Sequence, residues 1–200
     1  MKKATVALLT ACAAAGLLTQ CAPASSGGIG GKSAQESHHG ILPAISAPAT
    51  VRYAGKNWQG RYSAASPAAG DALVEYFLPG EGPGNWSQMM SLRLIAKDIT
   101  PQGYARNLAK VSSSPGAAYD LPGGQAGYDT LIPIKGSGGL EFSVFRIAPL
   151  GNSPGVKCLQ YSEKIPRQKM ISIGVDGLKS LKSSHRESLK TAAFPSISLK

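Results

Sequence analysis

The feature that most constrains this chain is a succession of short segments in which side chains alternate with a period of two, punctuated by clusters of glycine and proline. In residues 71–78, Ala72, Val74, Tyr76 and Leu78 share one side, and Leu73, Glu75 and Phe77 the other. In residues 85–95, Trp86, Met90, Leu92 and Leu94 fall at even positions, with Ser87, Ser91 and Arg93 at odd ones. Successive strand side chains point to opposite faces, so this period reads as strand. Pro79–Gly84 between the two runs is a turn cluster. Val51–Tyr53 and Trp58–Ser63 read as a first hairpin. Tyr128–Ile134, Leu140–Ile147 and Val156–Ser162 read as later strands, and Met170–Val175 as a further candidate. In Leu140–Ile147, Phe142, Val144 and Arg146 alternate with Ser143, Phe145 and Ile147. Both faces are largely apolar, as expected near a sheet centre.

Two segments carry helical spacing instead. Thr100-Pro101 opens the first: threonine caps free amides, and proline at the first helical position loses no hydrogen bond. Tyr104, Leu108 and Val111 then share a stripe, with Ala105 and Ala109 beside it. Ser184-His185-Arg186-Glu187 fits a capping box and opens or restarts a helix through Phe194. Leu178, Leu181, His185, Leu189 and Ala192 lie on one stripe, which makes His185 a packed or half-exposed histidine. Lys179, Lys182, Arg186 and Lys190 form a second, basic stripe, a candidate contact for an anionic surface such as lipid headgroups. A hairpin turn at Asp176-Gly177 would shorten that stripe to Arg186 and Lys190. The order strands, helix, strands, helix predicts an α+β domain, an antiparallel sheet with two helices packed on it. This layout is similar to the PsbP-like sandwich, an analogy of fold that implies no activity.

Ahead of the domain, Lys2 and Lys3 precede the uncharged, mostly apolar run Ala4–Leu18, the anatomy of an export signal and too short for a transmembrane helix. Leu18-Thr19-Gln20-Cys21 resembles the lipobox of bacterial lipoproteins, with Gln20 where that pattern prefers Gly, Ala or Ser. The resemblance implies that Cys21 is diacylated, becomes the first mature residue and holds the protein to a membrane. In that family a residue other than Asp after the cysteine, here Ala22, usually permits transfer to the outer membrane. Leu9-Thr10-Ala11-Cys12 is a second match, but only Ala4–Leu8 separates it from Lys3, too few for the apolar region. Ala22-Pro23-Ala24 fits ordinary signal cleavage, which would release a soluble periplasmic or secreted protein. The expected layout is a signal over 1–20, a flexible Ala/Ser/Gly/Pro tether over 21–48, and one domain over 49–200.

Composition narrows the partners. The 200 residues carry a formal charge of +10, which becomes +8 once Lys2 and Lys3 leave with the signal. Such a surface suits solubility first, and anionic lipid, polyanionic glycan or nucleic acid second. Of three cysteines, Cys12 leaves with the signal and Cys21 takes lipid, so Cys158 is alone and reads as a small buried hydrophobe.

Glu75-Tyr76-Phe77-Leu78-Pro79-Gly80-Glu81 followed by Asn85-Trp86-Ser87-Gln88-Met89 resembles a motif of small uncharacterised secreted bacterial proteins. The resemblance spans about fifteen residues and implies no activity. Physically it is a strand–turn–strand corner, with Trp86 plugging one end of the core and Glu75 and Glu81 as candidate ligands.

Catalytic signals mostly fail on their chemistry. Gly151-Asn152-Ser153-Pro154-Gly155 matches the nucleophile-elbow string, but the residue after the serine must offer an N–H to the oxyanion and Pro154 has none. Gly27–Ser33 resembles a P-loop but has Ser26 where the first glycine is required, and no strand precedes it. His38-His39 lacks further ligands at metal spacing, and zinc spacing is absent elsewhere. No helix-turn-helix or RNA-binding signature appears. The expectation is therefore a non-enzymatic envelope lipoprotein, with no cofactor, metal or nucleic acid, whose domain docks an envelope protein, lipid or glycan. The alternatives are a soluble carrier of a small apolar ligand, and a hydrolase in which Glu75, Glu81 and His185 share a cleft.

Overall fold

A computed structural model describes residues 36–112 and 116–200. The signal, Cys12, Cys21 and the P-loop-like Gly27–Ser33 lie outside the described residues. Along the chain the elements are β1 (Glu36–His39), β2 (Ile45–Ser46), β3 (Thr50–Tyr53), β4 (Lys56–Ser66), β5 (Asp71–Phe77), β6 (Gln88–Ile95), α1 (Pro101–Val111), β7 (Gly116–Leu121), β8 (Gln125–Pro133), β9 (Leu140–Pro149), β10 (Val156–Ile165), α2 (Arg167–Thr191) and β11 (Ser198–Leu199).

Every pairing is antiparallel. The main sheet runs β1-β4-β5-β6-β10-β9-β8-β7, and β3 pairs with the first residues of β4 beyond β1. β2 and β11 make a separate two-stranded ladder. The register puts Tyr76, Met90, Tyr161, Val144 and Asp129 in one row across the sheet. The next row, Glu75, Ser91, Gln160, Phe145 and Tyr128, must then face the opposite side.

Each face has its own helix. α2 closes the first core, where Trp58, Val74, Tyr76, Met90, Leu92, Phe142, Val144, Leu159, Tyr161 and Leu189 are buried together. α1 closes a smaller core on the other face, with Tyr104, Ala105 and Leu108 against Tyr128, Phe145, Ile147, Val156 and Cys158. The chain is thus the expected α+β arrangement, but strands dominate it.

Local chemistry accounts for both helices. Thr100 Oγ1 accepts the Gly103 N–H at 3.1 Å with Pro101 in the first turn, as its sequence requires. α2 ends where Arg146 reaches up from β9 and donates to the carbonyl oxygens of Leu189 (3.1 Å) and Ala192 (2.7 Å). A cation on orphan C-terminal carbonyls is a favourable end for a helix. The Phe194 ring lies 4.9 Å beneath that guanidinium.

Three expectations change. Met170–Val175 is helical, because α2 begins at Arg167 and Ser184 lies mid-helix with no cap to make. Met170, Leu178 and Leu181 extend the inward stripe back toward the start of α2, and Pro166 turns the chain off β10. Asp176-Gly177 is likewise helical; the interruption falls at Gly174, with φ 61° and ψ −170°. The folded unit also begins before residue 49. β1 pairs with β4, Leu42 and Ile45 are buried, and β11 closes on β2, so apolar side chains hold the end of the expected tether in the core. Trp86 is buried, in a small cluster with Phe77 and Met89 rather than in either main core.

Candidate functional site

The best-formed polar constellation lies beneath α2. Strand alternation puts Tyr161 and Glu163 of β10 on the α2 face, and α2 lowers His185 onto them. The imidazole stacks on Tyr161, with ring centroids 4.0 Å apart and planes at 17°. Tyr53 Oη lies 3.3 Å from His185 Nδ1, and Phe142 and Trp58 complete the aromatic surround. Glu163 accepts from the Tyr161 hydroxyl (2.8 Å) and from the Lys169 ammonium (2.6 Å), while His185 Nε2 stands 3.9 Å away. Burial alone would raise the Glu163 pKa. The hydrogen bonds from Lys169 and Tyr161, with the charges of Lys169 and His185, outweigh it and hold the carboxyl below its usual value. Burial lowers His185 against the pull of Glu163, and Lys169 and Lys56 push the same way as burial. The histidine is therefore a neutral, packed group, and each carboxylate oxygen of Glu163 has a donor.

The basic stripe is placed on one helix, and each member has a carboxylate. Lys182 reaches Asp129 Oδ1 at 3.1 Å and Arg186 binds Asp129 Oδ2, an acid buried in β8. The Arg186 guanidinium also covers the Tyr119 ring. Lys179 pairs with Asp176 at 3.3 Å and Lys190 with Glu187 at 2.5 Å, both near the solvent.

A second polar group sits on the opposite face, beyond the reach of α1. Ser143 and Ser162 share a 2.7 Å hydrogen bond, and Gln160 Nε2 donates to Ser162 Oγ at 2.8 Å. Glu75 and Glu141 are buried near this layer. Burial pushes Glu75 up to about 7, and burial pushes Glu141 up to about 8 against the pull of Lys164. One carboxyl oxygen of Glu141 has no hydrogen-bond partner. Lys164, its cross-strand neighbour, holds its ammonium 3.9 Å over the Trp86 ring. Glu81 is occupied elsewhere, accepting from the Ser87 N–H (3.1 Å) and hydroxyl (2.5 Å). Glu75 and His185 therefore lie on opposite faces and Glu81 at a turn, so the three do not converge. Glu141 was missed by sequence reasoning; its signal is a lone acid inside the mostly apolar β9.

A groove of about 490 Å³ opens at one edge of the sheet, lined by His39, Gly40, Gly60, Arg61, Gly80, Glu81, Gly82 and Pro83. β4 bulges between Gly60 and Tyr62, which sets the Arg61 main chain out of register with β5. None of the lining residues is buried, and four of the eight are glycine. Such a lining suits a polar chain better than a small apolar ligand.

The remaining candidates are structural. Gly151–Gly155 is the β9–β10 turn, closed by the Leu150 N–H on the Gly155 carbonyl at 3.0 Å. Cys158 is buried under α1, and burial pushes its thiol up to about 12. His38 and His39 are exposed in β1, and among the described residues no group of three or more potential ligands could hold a metal. Among the described residues no helix is long and apolar enough to cross a membrane.

No curated protein and no solved structure matches the chain. A protein-family model does match, over residues 45–194, a span that runs from β2 to just past α2 and takes in all of the α1-side core and all of the α2-side core except Leu42 and Ile197. That span is well over half of the sequence, and the chain belongs to that family.

Proposed function

We propose that this chain is a non-enzymatic envelope lipoprotein, anchored through Cys21 and presenting one α+β domain that binds an envelope protein or glycan. The observation that carries it is a contrast within the domain. The groups best suited to acid–base or nucleophilic chemistry, His185, Glu163 and Cys158, are packed and tied to internal partners or buried. The open recess is instead a groove lined by four glycines, the exposed Arg61, and Glu81, which is itself bound to Ser87. That arrangement favours docking over turnover. The anchor rests on the charged and apolar leader before Leu18-Thr19-Gln20-Cys21. The periplasmic face of the outer membrane is the compartment that Ala22 favours. An antiparallel sheet with a helix on either face also fits the PsbP-like layout, and that likeness adds nothing about activity.

Intact mass spectrometry of the mature protein tests the anchor. A diacylated amino terminus at Cys21 is expected, with fractionation to the outer membrane that is lost in Cys21→Ser. An unmodified chain beginning at Ser25 overturns it. A photoreactive residue at position 61 tests the groove, with position 106, exposed on α1, as control. Adducts to an envelope component are expected from 61 alone; identical adducts from both positions remove the groove from the proposal.

A further inference from the structure

We infer that the α2 amino-terminal end of the domain is a docking tip for an anionic lipid surface. Two large apolar side chains stand out there, Ile171 at 63% and Val175 at 67% exposed. They flank Gly174, whose left-handed φ of 61° breaks the helix between them and leaves both at its corner. Core contacts do not account for them, because Met170, Leu178 and Leu181 are the side chains that α2 sends inward here.

The surroundings are cationic. Arg167 opens the helix and lies against the β8–β9 turn, where a Cβ added at Gly138 would meet its Cδ at 3.2 Å. That turn carries exposed Lys135. Neither Arg167 nor Lys135 enters an ion pair among the described residues. Lys169 and Lys179 lie on the same helix, each already paired with an acid. The acids facing this end are Asp176, exposed and paired with Lys179, and Glu163, buried and bound to Lys169. Apolar side chains ringed by surplus basic ones are the composition that seats at the boundary of headgroups and acyl chains. A soluble polyanion would use the cations but leave Ile171 and Val175 in water.

This tip shares only Lys179 with the basic stripe, whose other members Lys182, Arg186 and Lys190 lie further along the helix, and it does not depend on acylation at Cys21. It is also compatible with an anchor. Residue 36 enters the sheet opposite Ala65, at the far end from Arg167. Covalent geometry caps the reach from residue 21 to 36 at about 50 Å, beyond the roughly 33 Å length of a ten-residue strand such as β10.

The test uses the full chain with Cys21→Ser and a tryptophan reporter, Ile171→Trp, at a site already exposed. Trp58 and Trp86 are buried and give a constant background. Vesicles carry brominated acyl chains and either phosphatidylglycerol or phosphatidylcholine headgroups. Reporter emission should fall at least about threefold on phosphatidylglycerol vesicles and recover in about 0.5 M salt, where charges beyond a few ångströms are screened. It should not fall on phosphatidylcholine, and Arg167→Glu with Lys135→Glu should abolish the effect. A reporter at Arg106, exposed on α1, should stay unquenched. Equal quenching at 106 and 171, which an inserted leader would give, overturns the tip. So does a reporter that aqueous iodide quenches equally with and without vesicles. Protection from iodide by heparin alone assigns the cations to a soluble polyanion and overturns the lipid assignment.

Discussion

The pair of buried carboxyls on the α1 face makes the pH dependence of stability a sharp test. Glu141 is 3% exposed, one of its oxygens has no partner, and its pKa is raised from 4.5 to about 8. A raised carboxyl pKa means that the folded state holds the proton more tightly than the unfolded chain. The stabilisation is complete below the unfolded value of 4.5 and is lost as pH rises through about 8. Each pH unit within that window costs up to about 1.4 kcal/mol per proton. The full window would give about 4–5 kcal/mol, an upper bound. Lys164 stands cross-strand from Glu141, and relaxation and water entry reduce real buried-charge penalties to a few kcal/mol. The expected effect is about 2–3 kcal/mol.

The perturbation is Glu141→Gln, which keeps shape and removes the titration. Urea unfolding of the parent and variant at pH 5, 7 and 9 reads it. At pH 5 the two should agree within about 1 kcal/mol, because the folded carboxyl is protonated and the unfolded one is only partly ionised. At pH 9 the variant should be more stable by about 2 kcal/mol. Glu75→Gln should do the same with a midpoint nearer pH 7, since burial raises that carboxyl to about 7. On the acid side the signs reverse. His185, lowered by burial, and Glu163, lowered overall by its hydrogen bonds, lose their contributions as pH falls, His185 below about 6.5 and Glu163 below about 4.5. A stability difference between parent and Glu141→Gln that is the same at pH 5 and pH 9 would refute the reasoning.

Four further outcomes rest on single sites. Asp129→Asn should cost about 2–3 kcal/mol in denaturant unfolding, because a buried acid loses its charge-assisted bonds from Lys182 and Arg186; Lys190→Ala, at a partly exposed pair, should cost under about 0.5 kcal/mol. Gly155→Ala should lower the melting temperature by about 5–15 °C, because φ is 127° and a Cβ there would stand 2.3 Å from the Ile95 carbonyl oxygen. In a Cys12→Ser, Cys21→Ser chain, Cys158 should resist a thiol-reactive disulfide at pH 8 until denaturant is added; fast labelling of the native protein would contradict its burial.

The strands were legible because a half-buried strand writes its two faces into alternate residues. β5 and β6 show this directly, and β3 and β4 pair as the hairpin expected of Val51–Tyr53 and Trp58–Ser63. β7 was not legible: Gly116–Leu121 is an edge strand with little buried, so no apolar period marks it. The first turns of α2 misled for the opposite reason. Met170-Ile171-Ser172-Ile173 is apolar on too many sides to show a period, since Ile171 points outward. The cap at Ser184 is a local signal overruled by packing, because the helix already has a covered stripe reaching back to Met170. The expected tether hid Leu42 and Ile45 among small and flexible residues, where isolated apolar positions carry no period at all.

The site was less legible because sequence names a helix face but not what it meets. Lys182 and Arg186 read as outward cations; β8 supplies Asp129 beneath them from more than fifty residues away. The same pairing logic decides the surface charge. Glu75, Asp129, Glu141 and Glu163, four of the eleven acids, are buried. Two of these, Glu75 and Glu141, hold protons near neutrality, so they cancel less positive charge than a formal count assigns them. The outward surface is therefore more basic than the formal +10 implies. The surplus gathers where Arg167 and Lys135 have no acid to meet, beside Ile171 and Val175. A net charge spread evenly would argue only for solubility; one left over at an apolar corner argues for a surface that is both negative and greasy.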